Sequence, residues 1–424
     1  MKKTGIIVTA AVLLAMGTGA AATQLHIKPP KIETFSSDVK TVEEITVPEN
    51  VRIVALGEAA HGNKEFQELK LSVFKRLVET TNVRGLILEG DFGGCAQAND
   101  YINGGAGTAE EVTAKLGYGI YRTDDMCELV QWMHDYNEKA AEGDKVRLYG
   151  ADIQNSFWNI EFIKRFYEQA APDKAADISA KIDNVFGTEE YVYDLSVPYE
   201  QKEALVDEIA ADMDANRADY EAKAGKEKFS YARRADDAIK CYIMLKEKEQ
   251  NYNLFRDTKM KENVDWALGI EESDHDAKLM LECHNGHMTK NRSSAFTYMG
   301  NMLYKEYGED YFAIGTDFYI TNDNLPTNEG RAVKKFISDD PLAYQVGEMD
   351  GNEYYLDFSE VSDDDPIHDI INKPMKTGSL GEGYNFLTRV LKNAYQINYA
   401  PADMYDAMIF VYEAEPIEIW EKTE

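Results

Sequence analysis

The most regular feature of the chain is a series of short apolar runs separated by longer amphipathic stretches. The runs lack the polar alternation of a strand with one solvated face, so they predict strands that are covered on both sides. They occupy residues 51–56, 83–88, 146–149, 278–283 and 311–314. The stretches between them have helical spacing, which is typical of crossover connections between parallel strands. The pattern therefore predicts an α/β fold with a three-layer α/β/α core and a mainly parallel sheet.

One region interrupts this alternation of strands and helices. Between residues 157 and 268 the strand pattern disappears, and apolar residues recur at helical spacing, as at Leu205, Ile209 and Met213. No internal repeat or low-complexity linker separates this region from the rest of the chain. We therefore expect a single α/β hydrolase-like domain over residues 51–424 that carries a helical insertion at about 157–268.

The C-terminal part of the chain contains two further apolar runs. Residues 354–358 and 407–412 have β-type patterns, and a helical pattern lies between them at residues 384–395. We expect the two runs to form edge strands that complete the same sheet.

The first residues have the composition of a secretory signal. Two lysines precede an apolar run at residues 6–16 that is short for a membrane span, and small residues follow at 19–22. This pattern predicts a signal peptide at residues 1–22, or alternatively an uncleaved N-terminal anchor, followed by a leader segment at 23–50. In either case we expect a secreted or cell-envelope protein with no other association with a membrane.

Charge and cysteine spacing argue against several classes of protein. The formal net charge of −31 opposes binding to nucleic acid, because no basic stripe offsets it. The four cysteines show no CxxC spacing, which indicates neither a structural zinc site nor a disulfide scaffold. The sequence also lacks a GxSxG nucleophile motif and a GxxxxGK[ST] phosphate loop. Candidate chemistry must therefore come from other residues.

Titratable residues follow four of the predicted strands at the points where the strands end. The carboxyl ends of parallel strands meet at one edge of a sheet, where ligands bind. Each residue alone could cap a helix or lie on the surface, but their joint occurrence indicates a catalytic site. They are Glu58 and His61 after the first strand, Glu89 after the second, Asp152 after the third, and His284 and His287 after the fourth.

The residues at these strand ends resemble the erythromycin esterase family. The resemblance lies in GEAAHGNKEF at 57–66, in Glu89, in Arg256-Asp257 and in HNGH at 284–287, and it covers about residues 50–320. It implies an α/β core with inserted helices. It also implies hydrolysis of a carboxylic ester or lactone without a metal or other cofactor, as in the opening of a macrolide ring.

The resemblance also implies roles for individual residues. His61 stands at the position of the base that activates water, and Glu89 stands at the position of its acidic partner. The spacing of Glu58 and His61 would itself let the carboxylate orient the imidazole ring. Lys64 stands where many relatives carry arginine, which keeps the charge but loses the bidentate fork. We expect Glu58, His61, Glu89, His284 and His287 to be catalytic, and Lys64, Arg122 and Asp152 to bind substrate.

These observations predict an exported hydrolase that cleaves a small-molecule ester or lactone with water activated by a histidine. Two alternatives stay open. The same histidines and glutamates could hold Zn or Mn in a metal-dependent hydrolase, and the cleft could belong to a non-catalytic protein that binds a small molecule. The family implies a link to antibiotic resistance, but export is at odds with the protection of ribosomes, so the sequence leaves the substrate open.

Overall fold

The computed structural model describes residues 28–190, 192–291 and 297–421. Strands within these ranges alternate with helices over most of the chain. The strands are β1 (Ile53–Glu58), β2 (Val83–Asp91), β3 (Arg147–Asp152), β4 (Lys278–His284), β5 (Tyr311–Thr327), β6 (Gly330–Ile337), β7 (Glu353–Asp357), β8 (Met375–Gly378), β9 (Gln396–Tyr399) and β10 (Ala407–Ala414).

The α-helices of the same ranges include long crossover helices and several short turns. They are α1 (Phe35–Asp38), α2 (Lys64–Thr80), α3 (Phe92–Ile102), α4 (Ala109–Thr113), α5 (Asp124–Asn137), α6 (Phe157–Ala170), α7 (Pro172–Phe186), α8 (Tyr199–Ala215), α9 (Arg217–Ala224), α10 (Lys226–Glu247), α11 (Tyr252–His275), α12 (Asn285–Met288), α13 (Met299–Tyr307), α14 (Pro341–Val346), α15 (Pro366–Ile371), α16 (Phe386–Val390) and α17 (Pro401–Met404).

The central sheet has the strand order β3-β2-β4-β1-β5-β10-β7, with β6 paired to β5 outside this path. The pairs from β3 through to β10 are parallel, whereas β7 and β6 pair antiparallel to their neighbours. The predicted fold class, α/β with a mainly parallel sheet, is confirmed. Because β4 lies between β1 and β2, the ends of these three strands are adjacent.

Alternate residues of the central strands enter two different apolar clusters. In β1, Ile53 and Ala55 belong to one cluster, while Val54 and Leu56 belong to the other. All four side chains are buried. This arrangement accounts for the missing polar alternation in the sequence, since both faces of the sheet are covered.

Helices α6 to α11 occupy the chain between β3 and β4, where the sequence predicts an insertion. Their outer limits are Phe157 and His275, so the helical region extends several residues beyond the predicted end at 268. The last of them, α11, packs against β2, β3 and β4. It therefore covers the sheet directly and brings its own side chains to the strand ends.

The C-terminal strands differ in position from the prediction. β7 is an edge strand, as expected, but β10 lies between β5 and β7 in the interior of the sheet. The prediction of an edge position for β10 is therefore wrong. Residues 407–411 are all buried, which fits an interior strand, but an apolar run by itself does not reveal which strands will flank it. The predicted helix at 384–395 is shorter than expected and consists of α16 followed by a 3₁₀ turn.

The N-terminal prediction falls largely outside the described residues. The signal segment at 1–22 and the first part of the leader, to residue 27, are not among them. From residue 28 onward the leader packs on the domain, since Phe35 is buried and Lys40 forms a backbone bridge with Tyr355. Within the described ranges, none of the helices combines the length and apolar character required for a membrane span.

Candidate active site

Glu58 and His61 form a hydrogen-bonded pair at the end of β1. Glu58 is the last residue of the strand, and its Oε1 contacts Nδ1 of His61 in the loop that leads to α2. Glu58 is 3% exposed, whereas the side chain of His61 is 13% exposed. The carboxylate therefore orients the ring, and part of the imidazole remains accessible.

Lys70 links Glu58 to a second buried carboxyl group. Its Nζ lies 2.5 Å from Oε2 of Glu58 and also contacts Oε1 of Glu282, which belongs to β4. Lys70 is fully buried, and a buried ammonium is tolerated only with such partners. Burial raises the pKa of Glu282. For Glu58 burial acts in the same direction, but the charges of Lys70 and His61 outweigh it and lower the pKa.

The surroundings make His61 a strong base. Burial opposes protonation of the ring, but the carboxylate of Glu58 outweighs this effect through charge and hydrogen bonding and raises the pKa of His61 to about 9. The charges of Glu89 and Glu382 act in the same direction. His61 is therefore mostly an imidazolium at neutral pH.

Glu89 lies in β2, where the register with β3 shifts between Leu88 and Asp91. Its Oε1 accepts a hydrogen bond from Nη2 of Arg256 at 2.5 Å, and its Oε2 accepts one from the backbone N–H of His284 at 2.8 Å. Burial opposes its ionisation, but the positive charge of Arg256 and the hydrogen bond from the backbone N–H of His284 favour the carboxylate, and the pKa of Glu89 is lowered. The carboxylate hydrogen-bonded to His61 is thus Glu58, and Glu89 acts on His61 through its charge.

Arg256, near the start of α11, joins the ends of three strands. Its Nε donates to Oδ1 of Asp152 at 2.9 Å and its Nη2 to Oδ2 at 2.6 Å, in addition to the bond with Glu89. Oδ2 of Asp152 also accepts a hydrogen bond from Tyr118 Oη at 2.5 Å. Asp152 is fully buried beneath this guanidinium. Asp152 therefore acts on a ligand through the side chains bonded to it, Arg256 and Tyr118.

The protonation of His287 follows from its two partners. Nη1 of Arg256 donates to Nε2 of His287 at 2.9 Å, so this nitrogen accepts and carries no proton. Nδ1 then carries the proton and donates it to Oδ1 of Asp257 at 2.8 Å. His287 is held in one tautomer between a cation and a carboxylate, and its ring nitrogens are both engaged.

His284 presents the opposite tautomer. Its Nδ1 accepts a hydrogen bond from the backbone N–H of Gly286 at 3.1 Å, so the proton resides on Nε2. This Nε2 is buried and has no hydrogen-bond partner among the described residues. Burial, and next the positive charge of His61, lower the pKa of His284 to about 3. The ring is therefore neutral at physiological pH and offers a free N–H donor.

Two glycines of the first motif allow the loops at this edge to pack closely. A Cβ on Gly57 would lie 2.1 Å from Oδ1 of Asn285, and a Cβ on Gly62 would lie 1.9 Å from Oδ1 of Asp323. Asn285 in turn donates to the carbonyl of Thr316 at 2.7 Å. The absence of a side chain at Gly57 therefore permits the residues after β4 to approach the end of β1, and its absence at Gly62 permits the loop after β1 to approach β5.

The structure brings six of the eight predicted site residues into one connected group and leaves two in other contacts. Lys64 is half-exposed, with Nζ 2.9 Å from Glu68 on the same helix. Arg122 pairs with Glu190 at 2.7 Å. Substrate binding by these two residues stays a prediction. The connected residues are Glu58, His61, Glu89, Asp152, His284 and His287.

Four further polar residues complete the group; none of them was predicted as a site residue, although Arg256 and Asp257 are among the residues that carry the family resemblance. Two of them carry a signal in the sequence. Lys70 lies on the apolar face of α2 with Phe66 and Phe74, and Glu282 interrupts the apolar run of β4. A charged residue at such a position is expected to be paired. The four residues are Lys70, Arg256, Asp257 and Glu282.

The donor set is a poor match for a divalent cation. Glu58 is already paired with Lys70, and Glu89 is already paired with Arg256. Both nitrogens of His287 are occupied by Arg256 and Asp257. A metal would have to displace these cations or share their carboxylates, so the arrangement favours chemistry carried out by the side chains themselves.

Comparison with known proteins supports the identification of the family. The family model described as erythromycin esterase matches residues 78–414. Erythromycin esterase type II of Escherichia coli is 24% identical over 299 residues, which cover 64% of this chain and 70% of that protein. A putative hydrolase of Bacillus subtilis, YbfO, is 24% identical over 320 residues, covering 68% and 70% of the two chains.

The fold has a counterpart among solved structures. A crystal structure of a Bacillus cereus protein superposes with a TM-score of 0.71 at 21% identity, covering 96% of this chain and 99% of the other. At that identity the likeness shows the fold alone. The family model, in contrast, spans most of the sequence and includes both β2 and the HNGH motif. This chain belongs to the erythromycin esterase family, and that membership indicates a hydrolase.

Proposed function

We propose that this protein is a carboxylic ester hydrolase in which His61 activates water and His284 stabilises the charge that develops on the carbonyl oxygen. One observation carries the proposal. The two imidazole rings lie with centroids 5.0 Å apart, and neither Nε2 has a hydrogen-bond partner among the described residues. A strong base and a neutral N–H donor thus stand side by side, as hydrolysis of an ester requires.

The proposed reaction begins with His61 in its neutral form. Nε2 of His61 takes a proton from water while the water oxygen attacks the carbonyl carbon of the ester. The carbonyl oxygen becomes an oxyanion that accepts a hydrogen bond from Nε2 of His284. Collapse of the intermediate breaks the bond to the alcohol oxygen, which receives the proton held by His61. The products are a carboxylic acid, which ionises, and an alcohol.

The neighbouring ion pairs position these two rings. Glu58 binds Nδ1 of His61 and stabilises the imidazolium that forms when the water proton is taken. Glu89 accepts a hydrogen bond from the backbone N–H of His284 at 2.8 Å, and Arg256 donates a hydrogen bond to Glu89. In this scheme Glu89, Arg256 and Asp152 act by fixing geometry and charge.

We propose a carboxylic ester or lactone as the substrate, consistent with the family. The relative from Escherichia coli carries the name erythromycin esterase, and a macrolide lactone is one member of the proposed class. We further propose that the N-terminal segment exports the protein, on the basis of the apolar run at residues 6–16 and the small residues after it.

The test is a survey of nitrophenyl esters and lactones, including erythromycin, with the wild-type protein and a His61→Asn variant. We expect turnover of at least one substrate by the wild type and a loss of about 10²-fold or more in the variant. His368→Asn, on α15, is the control and should retain full activity. Turnover by His61→Asn at the wild-type rate would contradict the role of the base. Binding of such compounds by the wild type without turnover of any of them would favour a binding protein.

A further inference from the structure

A large cavity lies at the edge of the sheet opposite to the candidate active site. Its volume is about 930 Å³, which is within the range of small-molecule sites. Its walls include Arg147, the first residue of β3, and the start of α10. The active-site residues follow the carboxyl ends of the strands, whereas this cavity is next to an amino end.

The charge of the cavity is opposite in sign to that of the whole chain. The chain contains 76 acidic and 45 basic residues, but six basic and four acidic residues line the cavity. Clusters of like charge in a concave site focus the local potential and attract ligands of opposite charge. The basic residues are Lys115, Lys145, Arg147, Arg165, Lys226 and Lys228.

Three of these six cations are already neutralised by acidic neighbours. Lys228 pairs with Asp100 at 3.3 Å, and Lys145 pairs with Glu142 at 2.7 Å. Arg147 contacts three carboxylates, among which Asp274 is the nearest at 3.0 Å. These residues stabilise the wall and leave little charge for a ligand.

The other three cations, Lys115, Arg165 and Lys226, form no ion pair with any residue in the described part of the chain. Lys115 and Arg165 are close enough to repel each other, since burial and then the charge of Arg165 lower the pKa of Lys115. Carboxylates act on both cations from beyond ion-pair distance: Glu111 and Glu161 on Lys115, and Asp100 on Arg165. An anion bound directly between the two cations would offset their mutual repulsion. A negatively charged ligand would therefore stabilise this part of the cavity.

Two other polar features belong to the wall of the same cavity. The N-terminus of the 22-residue helix α10 lines the cavity, and its N-cap Gly225 offers no side chain to the first N–H groups. Gln97, which also lines the cavity, is 3% exposed, and its buried Oε1 has no hydrogen-bond partner among the described residues. The helix end suits an oxyanion, and the free amide oxygen suits a hydroxyl group.

We propose that this cavity binds a small phosphorylated molecule, with the phosphate between Lys115, Arg165 and the start of α10. A doubly charged anion matches two unpaired cations and a row of backbone donors better than a single carboxylate does. The cavity is larger than a phosphate group, so an organic portion with hydroxyl groups would fill the remainder and reach Gln97. This site is separate from the proposed ester hydrolysis and does not depend on it.

Isothermal titration calorimetry of the full chain at low ionic strength tests the proposal, with glucose 6-phosphate, inorganic phosphate and glucose as probes. We expect glucose 6-phosphate to bind more tightly than inorganic phosphate and glucose not to bind. A Lys115→Gln/Arg165→Gln double variant should weaken binding of glucose 6-phosphate by roughly tenfold for each cation removed. Added salt should weaken binding by the wild type, since the contacts are ionic.

The matched control is a Lys139→Gln/Lys305→Gln double variant, which removes the same charge from α13 and from the turn after α5, outside the cavity. It should bind like the wild type. Equal affinities of the wild type and the Lys115/Arg165 variant would overturn the proposal, as would a lack of binding of both phosphate probes up to about 10 mM. Circular dichroism of each variant establishes that a loss of binding is not a loss of fold.

Discussion

The imidazole rings of His61 and His284 lie 5.0 Å apart between centroids, and their surroundings shift protonation in opposite directions. The two residues are brought together by register, because Glu58 at the end of β1 is directly paired with His284 at the end of β4. The carboxylate of Glu58 raises the pKa of His61 despite burial, whereas burial and the charge of His61 lower the pKa of His284. One ring is thus suited to take a proton and the other to donate a hydrogen bond.

The activity should depend on pH through His61. A protonated His61 cannot accept a proton from water, so activity should fall as pH drops through the pKa of about 9. At pH 7 the rate should be roughly a hundredfold below its alkaline plateau, because only about 1% of the ring is neutral. A pH profile of kcat/KM checks this. Glu58→Gln should move the fall in activity to lower pH, because the variant lacks the carboxylate that raises the pKa of His61. An unchanged profile in that variant would contradict the role of Glu58.

Removal of the donor on His284 should lower kcat without displacing the pH profile to alkaline values. His284→Phe eliminates the free Nε2–H and retains a ring of similar shape. We expect kcat to fall by about 10²-fold to 10³-fold, as for the loss of one donor to an oxyanion. Steady-state kinetics across pH provide the measurement. Wild-type kcat in this variant would show that Nε2 of His284 does not contact the reacting oxygen.

Lys70 should be required for stability as well as for activity. Lys70→Met leaves Glu58 and Glu282 buried without their shared ammonium. Removing one partner from a buried ion pair costs about 3–5 kcal/mol, so the free energy of unfolding in urea should decrease by that amount. Lys139→Met, at an exposed position, should change it by less than about 0.5 kcal/mol. A stable Lys70→Met variant would mean that the carboxyl groups become neutral or rearrange.

Chelation should leave turnover unchanged. Glu58 and Glu89 already bind Lys70 and Arg256, so His61 rather than a metal-bound hydroxide is proposed to generate the nucleophile. Turnover after exhaustive dialysis against a chelator, together with elemental analysis of the protein, tests this expectation. Loss of activity that stoichiometric Zn or Mn restores would make His61 a ligand instead of the base.

The positions of the strands and of the residues after them could be predicted because their signals are local. Apolar runs located β1 to β5, although β1 begins at Ile53, two residues later than predicted. The convergence of His61 and His284 followed from the general geometry of parallel sheets. A parallel sheet brings these ends to one edge whatever its strand order.

Other parts of the site depend on contacts that the sequence does not encode locally. Lys70 and Glu282 are 212 residues apart, and each looks like an isolated charge until β4 is placed next to β1. Arg256 lies early in α11, whose approach to the strand ends depends on how the whole helical region folds back. The interior position of β10 could not be predicted for the same reason, because long-range packing sets the strand order.

The interior position of β10 has a consequence for how the chain acquires its structure during synthesis. β7 lies at the edge of the sheet and pairs with β10, and the remainder of the sheet reaches β7 only through that strand. The sheet can therefore close only once β10, which ends at Ala414, is available to pair with both β5 and β7. A nascent chain that stops short of β10 exposes the long edge of β5, which is a template for aggregation. Truncation of the chain within β10 should therefore reduce the yield of soluble protein.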